Sequence, residues 1–331
     1  MDEAPRALGV TFPPLETRRK VIVDTAVRAE QLGYDAFFVT EAWGLDALCV
    51  IAEIATKTER IRLGTGVVGA WSRSAGALAM AAATLSQMSG SRFILGLGAS
   101  TPQLVEGLHD IPYDAPLDQL RKVVTQVREL LAGNRVPLSL VERARPLRLA
   151  VPAEPVAIYL AGLAPASVRL CGEIADGWMP TLLPVSRADH VLEAFQQGAA
   201  RRPSGAQLCR FCPAIPTGVA ADEATARQLA AWWVAFYLTS MGRIYARTIE
   251  RLGFAAEVKA IQAANPNPST STVPAESDVL LDELVVFGTP EGARARLARW
   301  YELGAELPIV SIPPNRPPEE IEETLSALAP R

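Results

Sequence analysis

Eight short apolar runs recur along the 331-residue chain, separated by stretches with helical patterning. Residues 8–12 (LGVTF), 36–40 (AFFVT), 61–67, 93–97, 156–160, 178–181, 208–219 and 307–312 read as strands. Helices are predicted over 16–32, 46–57, 74–88, 117–131, 165–174, 187–200, 222–241, 244–264, 290–303 and 317–328. Runs that are apolar throughout suit strands covered on both faces, as in parallel sheets. Strands that alternate with helices need a parallel arrangement, because each parallel neighbour requires a crossover. Eight such units predict an α/β fold, a closed (β/α)8 TIM barrel in a single domain over 1–331, with chemistry at the strand carboxyl ends. An open doubly wound sheet is the rival, but FPPLET follows the first strand where a GxGxxG turn is needed. Residues 135–155 are aperiodic and read as an excursion, and the composition of 265–278 predicts a mobile loop.

Bulk properties narrow the function classes. Acidic residues outnumber basic ones, 36 to 32, so neither nucleic acid nor an anionic membrane is an expected partner. No apolar run reaches the ~18 residues of a membrane span. The beginning, MDEAPRALGV, lacks the layout of a signal peptide, and a cytoplasmic protein is expected. Cys209 and Cys212 form a lone CxxC inside a strand, and His109 and His190 have no ligand spacing, so no metal site is expected.

Residues 62–100 concentrate the functional signal. Two consecutive strands end in glycine-rich corners, Gly64-Thr65-Gly66 and Gly96-Leu97-Gly98. Glycine permits close backbone approach and unusual conformations, so these corners are predicted to hold a cofactor.

The stretches FVTEAWGLDAL (38–48), TERIRLGTGVV (58–68), SRSAGALAMAAATLSQMSGSRFILGLGAS (72–100), IYLAGLAPASVRLCGEIADGWMPTL (158–182) and FGTPEGARARLARWYELGAE (287–306) occur in barrel order. With them the chain resembles the bacterial luciferase-like superfamily. Within it, the chain looks most like the oxidoreductases that use the deazaflavin coenzyme F420, including the methylene-tetrahydromethanopterin reductase type. The resemblance implies a (β/α)8 barrel with insertion segments near the active site and a deazaflavin across the strand carboxyl ends. It implies a non-prolyl cis peptide at Gly66-Val67 behind the ring, where the residues alone allow an ordinary strand-end turn. Gly98, Ala99, Ser100 and Thr101 correspond to the corner that touches the ring or the cofactor tail. Thr101 stands where the sugar-phosphate dehydrogenase branch carries a carboxylate, which disfavours that reaction. Gly162, Leu163, Ala164 and Pro165 correspond to the cofactor-phosphate segment, a helix start whose N–H groups suit an anion. Arg169 either adds charge there or faces solvent.

Glu41 corresponds to a carboxylate that contacts the cofactor or serves as acid or base, with Ala42 in place of a neighbouring histidine. Trp43 either walls the substrate pocket or belongs to the core, and Asp46 starts a helix. His109, in GLHDIPYDAP with Tyr113, is a pocket or a surface residue; Leu108 and Asp110 depart from the family pattern. Among Trp232, Trp233, Phe236, Tyr237 and Met241, Trp233 is the candidate to line the substrate pocket. Glu41 and Thr101 are the candidate catalytic residues.

The function so implied is F420-dependent hydride transfer between the deazaflavin and a small organic substrate, reducing a C=C or C=N bond or running the reverse. One alternative is an FMN-dependent two-component monooxygenase supplied by a partner flavin reductase. Another is a barrel without cofactor that serves as a non-catalytic subunit. A homodimer is expected through the small-residue helix at 75–83.

Overall fold

A computed structural model describes residues 6–141, 143–267 and 270–330. All its strands run parallel. They are β1 (Gly9–Thr11), β2 (Ala36–Val39), β3 (Arg62–Thr65), β4 (Val68–Gly69), β5 (Phe93–Gly98), β6 (Ala157–Leu160), β7 (Gly177–Trp178), β8 (Arg210–Phe211), β9 (Ala214–Val219), β10 (Val286–Gly288) and β11 (Ile309–Ser311). The helices are α1 (Arg19–Gln31), α2 (Ala47–Ala55), α3 (Ala75–Ser89), α4 (Pro102–Gly107), α5 (Pro116–Leu131), α6 (Pro165–Ile174), α7 (Ala188–Ala199), α8 (Glu223–Thr239), α9 (Arg243–Ile249), α10 (Ala255–Ala264), α11 (Val279–Leu284), α12 (Pro290–Glu302) and α13 (Pro318–Leu328).

The strands close into a ring. β1 pairs with β2 on one side and β11 on the other, with Gly9 opposite both Ala36 and Ile309. The sheet continues β2-β3-β5-β6-β7-β8, and β11 pairs in turn with β9. β8 and β9 are one strand interrupted at Pro213, which has no N–H to give. The ladder to β7 persists across the break, with Cys212 N donating to Trp178 O at 2.8 Å and Ala214 N to Pro180 O at 2.8 Å. The eight strands read from the sequence are thus the staves of a (β/α)8 barrel.

Several elements depart from the sequence reading. β4, α4, β10 and α11 are too short to show a period. β10 pairs with Thr217–Val219 at the far end of β9 and so extends the sheet past the barrel wall. The first helix starts at Arg19, not 16, because the carboxylate of Glu16 does other work. It is buried and accepts from Arg18 N, Arg18 Nε and Asn315 N, tying the loop after β1 to the loop after β11. The segment read as one helix over 244–264 is broken at Gly253, whose φ is +102°. The loop at 265–278 is pinned at its start by buried Asn265, which donates to Ile261 O and Thr272 O and accepts from Thr272 N.

Strand alternation sorts side chains to two sides. Val10, Phe37, Leu63, Leu95 and Ile158 face the helices. Ala36, Phe38, Ile94, Tyr159, Met179, Cys212 and Ile309 form a separate cluster inside the ring. There the Phe38 and Tyr159 rings lie 6.4 Å apart at 30°. A Cβ on Gly64 would come 2.6 Å from the Phe38 ring, and one on Gly177 2.7 Å from the Tyr159 ring. Glycine on one strand is what lets an aromatic ring from the next fill the interior. Burial pushes the Tyr159 hydroxyl and the Cys212 thiol up to about 12, and Cys209 upward as well. The CxxC thiols therefore stay protonated at neutral pH. A third cluster binds α8 to α11 over the end of the barrel.

Gly64→Ala is expected to lower unfolding free energy by about 1–3 kcal/mol, the usual penalty for overpacking a tight core. Urea denaturation checks this. In a Phe38→Leu background the same change should cost clearly less, since the ring it meets is gone.

Candidate active site at the strand carboxyl ends

The two glycine corners meet each other. β3 and β5 pair only over Leu63 and Gly64, and pairing resumes with Val68 and Gly69 against Leu97 and Gly98. The intervening Thr65, Gly66 and Val67 bulge out of the ladder, and the Gly66-Val67 peptide is cis. Thr65 Oγ1 donates to Gly96 O at 2.7 Å and accepts from Gly96 N at 2.8 Å, replacing the missing ladder bonds. A Cβ on Gly96 would fall 1.8 Å from Thr65 O, and one on Gly98 2.9 Å from Val67 Cγ2. These glycines are thus required by the contact between neighbouring strands, whereas the sequence suggested that they make room for a ligand.

Ala99 and Ser100 follow, half-buried, and Ser100 has a φ of +64°. Its carbonyl accepts from Tyr113 Oη at 3.1 Å. Thr101 caps α4, its Oγ1 accepting from Leu104 N at 3.4 Å. His109 lies half-buried just past α4.

After β2, Glu41 places a carboxylate on the rim. Its side chain is 12 % exposed, and both oxygens are held by Arg73, at 2.6 and 2.9 Å. Oε2 also accepts from Ala47 N at the start of α2. Arg73 reaches on to Asp46 at 2.5 Å, and Asp46 caps α2 through Cys49 N. Burial would raise the Asp46 pKa, but the Cys49 N–H and the Arg73 guanidinium outweigh it and hold the carboxyl below its usual value. The bonds to Glu41 in turn raise the pKa of Arg73 despite its burial. Trp43 is 51 % exposed, on the rim and outside the core. Arg73 carries no sequence pattern that distinguishes it from a surface arginine.

The corner after β6 is set by Ala161 N donating to Leu97 O at 3.0 Å and by Gly162 O accepting from Trp178 Nε1 at 2.8 Å. Leu163 is buried beneath it. Ala164 occupies the cap position of α6 with Pro165 first in the helix, and no side chain caps its N–H groups. Ser167 Oγ turns back to Ala164 O. Arg169 is half-buried one turn further on.

Trp233 lies elsewhere. It is fully buried in the cluster of the α8–α11 cap, with its indole N–H donating to Thr217 O at 2.9 Å. It is a packing residue between α8 and β9 and not a pocket wall. On α8 the partly exposed rings are Trp232 and Phe236, stacked 5.2 Å apart.

A family model described as luciferase-like monooxygenase matches residues 10–307. A Mycobacterium tuberculosis protein whose name provisionally assigns it to the coenzyme F420-dependent oxidoreductases is 31 % identical over 86 % of this chain and 88 % of its own. The 5,10-methylenetetrahydromethanopterin reductase of Methanolobus tindarius is 27 % identical over 93 % of this chain and 95 % of its own. Among solved structures, the coenzyme F420-dependent tetrahydromethanopterin reductase of Methanopyrus kandleri superposes with a TM-score of 0.76, at 18 % identity, covering 98 % of each chain.

Arg73→Met should destabilise the protein at neutral pH by on the order of 2 kcal/mol, since it strands a mostly buried carboxylate. The Asp46 part of this loss has a defined sign. A carboxyl whose folded pKa is depressed stabilises above its unfolded value of about 3.9 and loses that contribution as pH falls through the folded pKa. The gap between wild type and variant should therefore narrow below about pH 4, as measured by chemical denaturation at several pH values.

Proposed function

The chain belongs to the luciferase-like monooxygenase family, and we propose that within it this protein is a coenzyme F420-dependent oxidoreductase acting on a small organic molecule. The observation that carries this reading is similarity over 86 % of the chain to a protein whose name provisionally assigns it to the coenzyme F420-dependent oxidoreductases. When bound, the deazaflavin would supply the chemistry, accepting or donating hydride at its C5 carbon.

The residues present fit such a group. Gly66 and Val67 would back the ring, and Gly98, Ala99 and Ser100 would border its edge. Gly162, Leu163, Ala164 and Pro165 lead into a helix whose first N–H groups lack a side-chain cap and suit a phosphate. Glu41, oriented by Arg73 through both of its oxygens, is the candidate to accept a hydrogen bond from the cofactor or to act as acid or base. Thr101 presents a neutral hydroxyl at the corner, which suits a substrate that needs no strong acid there. Trp43, exposed on the rim, and His109 are the candidates to contact the substrate. The work left to the protein is to bind, orient and exclude water. The substrate is proposed to carry a C=C or C=N bond, or to be the reduced partner of one.

Oxidised F420 should quench the protein's fluorescence with a dissociation constant on the order of 10 µM or tighter. The absence of quenching at several times that concentration overturns the proposal. Preferential binding of reduced FMN with oxygen uptake would move the protein to the monooxygenase side of the family.

We further propose a homodimer through α3. Its helix is rich in small residues and presents Met80, 57 % exposed, and Met88 to solvent. Light scattering should give a mass near twice 35.5 kDa, and Met80→Glu should shift it toward the single chain.

A further inference from the structure

Among the described residues, four buried side-chain polar atoms have no hydrogen-bond partner: Trp71 Nε1, Arg202 Nε, Arg294 Nε and Glu320 Oε2. Three belong to charged groups on or beside outer helices. Arg202 spends its Nη1 on the carbonyls of Gly172 and Ala175, and Glu320 Oε2 is ion-paired with Arg316. Trp71 differs in place and in kind. It sits in the loop that leaves the carboxyl end of β4 for α3, and an indole has one polar atom.

The surroundings of Trp71 are built. Gly69, two residues earlier, pairs with Gly98, and Ala70 N donates to Gly98 O at 2.9 Å. The Trp71 ring packs on Tyr113 with centroids 5.8 Å apart, and Tyr113 Oη is anchored on Ser100 O. Gln119 Nε2 holds Ala70 O at 3.3 Å. The indole is therefore fixed beside the Ser100 corner, while its N–H, removed from water, has nothing to donate to. A buried donor left unpaired is costly, and native structures keep few of them unless a ligand or ordered water completes the bond.

We infer that Trp71 is a ligand-recognition residue whose indole N–H donates to an acceptor oxygen of the cofactor lodged at the Gly98–Ser100 corner. This rests on the reading that the corner holds a deazaflavin. The acceptor is an oxygen of the ring's pyrimidinedione edge or of the phosphate-bearing tail. Both present the same chemistry to a neutral donor. Tyr113 acts as a positioning residue that holds the indole plane. The role of Trp71 is binding; it moves no proton.

Trp71→Phe keeps an aromatic face against Tyr113 and deletes the donor. Three measurements test the inference: the melting temperature of the free protein, and the affinities for oxidised F420 and for its phosphate-free deazaflavin chromophore. Expected are an unchanged or raised melting temperature, because an unpaired buried donor is removed, and F420 binding weakened roughly tenfold, about 1.4 kcal/mol. An equal loss for the chromophore assigns the acceptor to the ring; a loss for F420 alone assigns it to the tail. Trp71→His, which restores a ring N–H, should recover part of the affinity. Wild-type affinity in Trp71→Phe for both ligands overturns the inference and leaves the F420 reading standing. A lowered melting temperature together with weaker binding that His does not rescue also overturns it, since Trp71 would then be packing. Wild-type protein that binds no deazaflavin overturns both.

Discussion

The interior of this barrel depends on rings lying against glycines. Phe38 and Tyr159 fill the space inside the ring because Gly64 and Gly177, on the neighbouring strands, leave room for them. Gly9 does the same for Ile309, where a Cβ would come within 3.1 Å. Two large flat side chains therefore make the floor on which anything at the strand carboxyl ends must rest. A barrel interior is a packed core and not a pore, and here the packing is aromatic in its upper part. The Phe38 carbonyl is also fixed from the side, accepting from Thr11 Oγ1 at 2.9 Å. Above that floor the backbone of β3 and β5 parts and rejoins, and the rim corners follow from that parting.

The rim is held by a second device, side chains that tie one strand-to-helix loop to the next. Thr65 joins β3 to β5, Glu16 joins the loops after β1 and β11, and Arg73 joins the loop before α3 to the loop before α2. Each tie is a hydroxyl or charged group with most of its hydrogen-bonding capacity engaged, as burial requires. A rim so tied is preorganised. It also leaves few polar groups uncommitted, so those that remain carry more weight in recognition.

The architecture was legible because it rests on periodicity and on apolar runs, which local sequence expresses directly. AFFVT and LGVTF read as buried strands, and the cap residues Asp46 and Ser74 stand where predicted helices begin. The short elements were not legible, since β10 and α11 owe their form to pairing with β9 and packing on α8. Residues of the candidate site divided in the same way. The glycine corners were visible, yet their physical reason was not: Gly96 and Gly98 answer to Thr65 and Val67, some thirty residues away. Trp233 looked like a pocket aromatic because hydropathy cannot tell which face of α8 meets the barrel.

Arg73 and Trp71 show what sequence patterning omits at a rim. Neither has a spacing, a cap position or an apolar period to mark it, and both gain their meaning from groups brought in by other loops. Arg73 becomes a clamp only because the loop after β2 delivers Glu41 and Asp46 to it. Trp71 becomes a buried donor only because the segment after α4 lays Tyr113 against it. Loops at the carboxyl ends of a barrel can vary without disturbing the staves, so specificity in such a fold is written in contacts between loops. The family is therefore carried by strands and glycine corners. Side chains such as these take their surroundings only from the assembled rim.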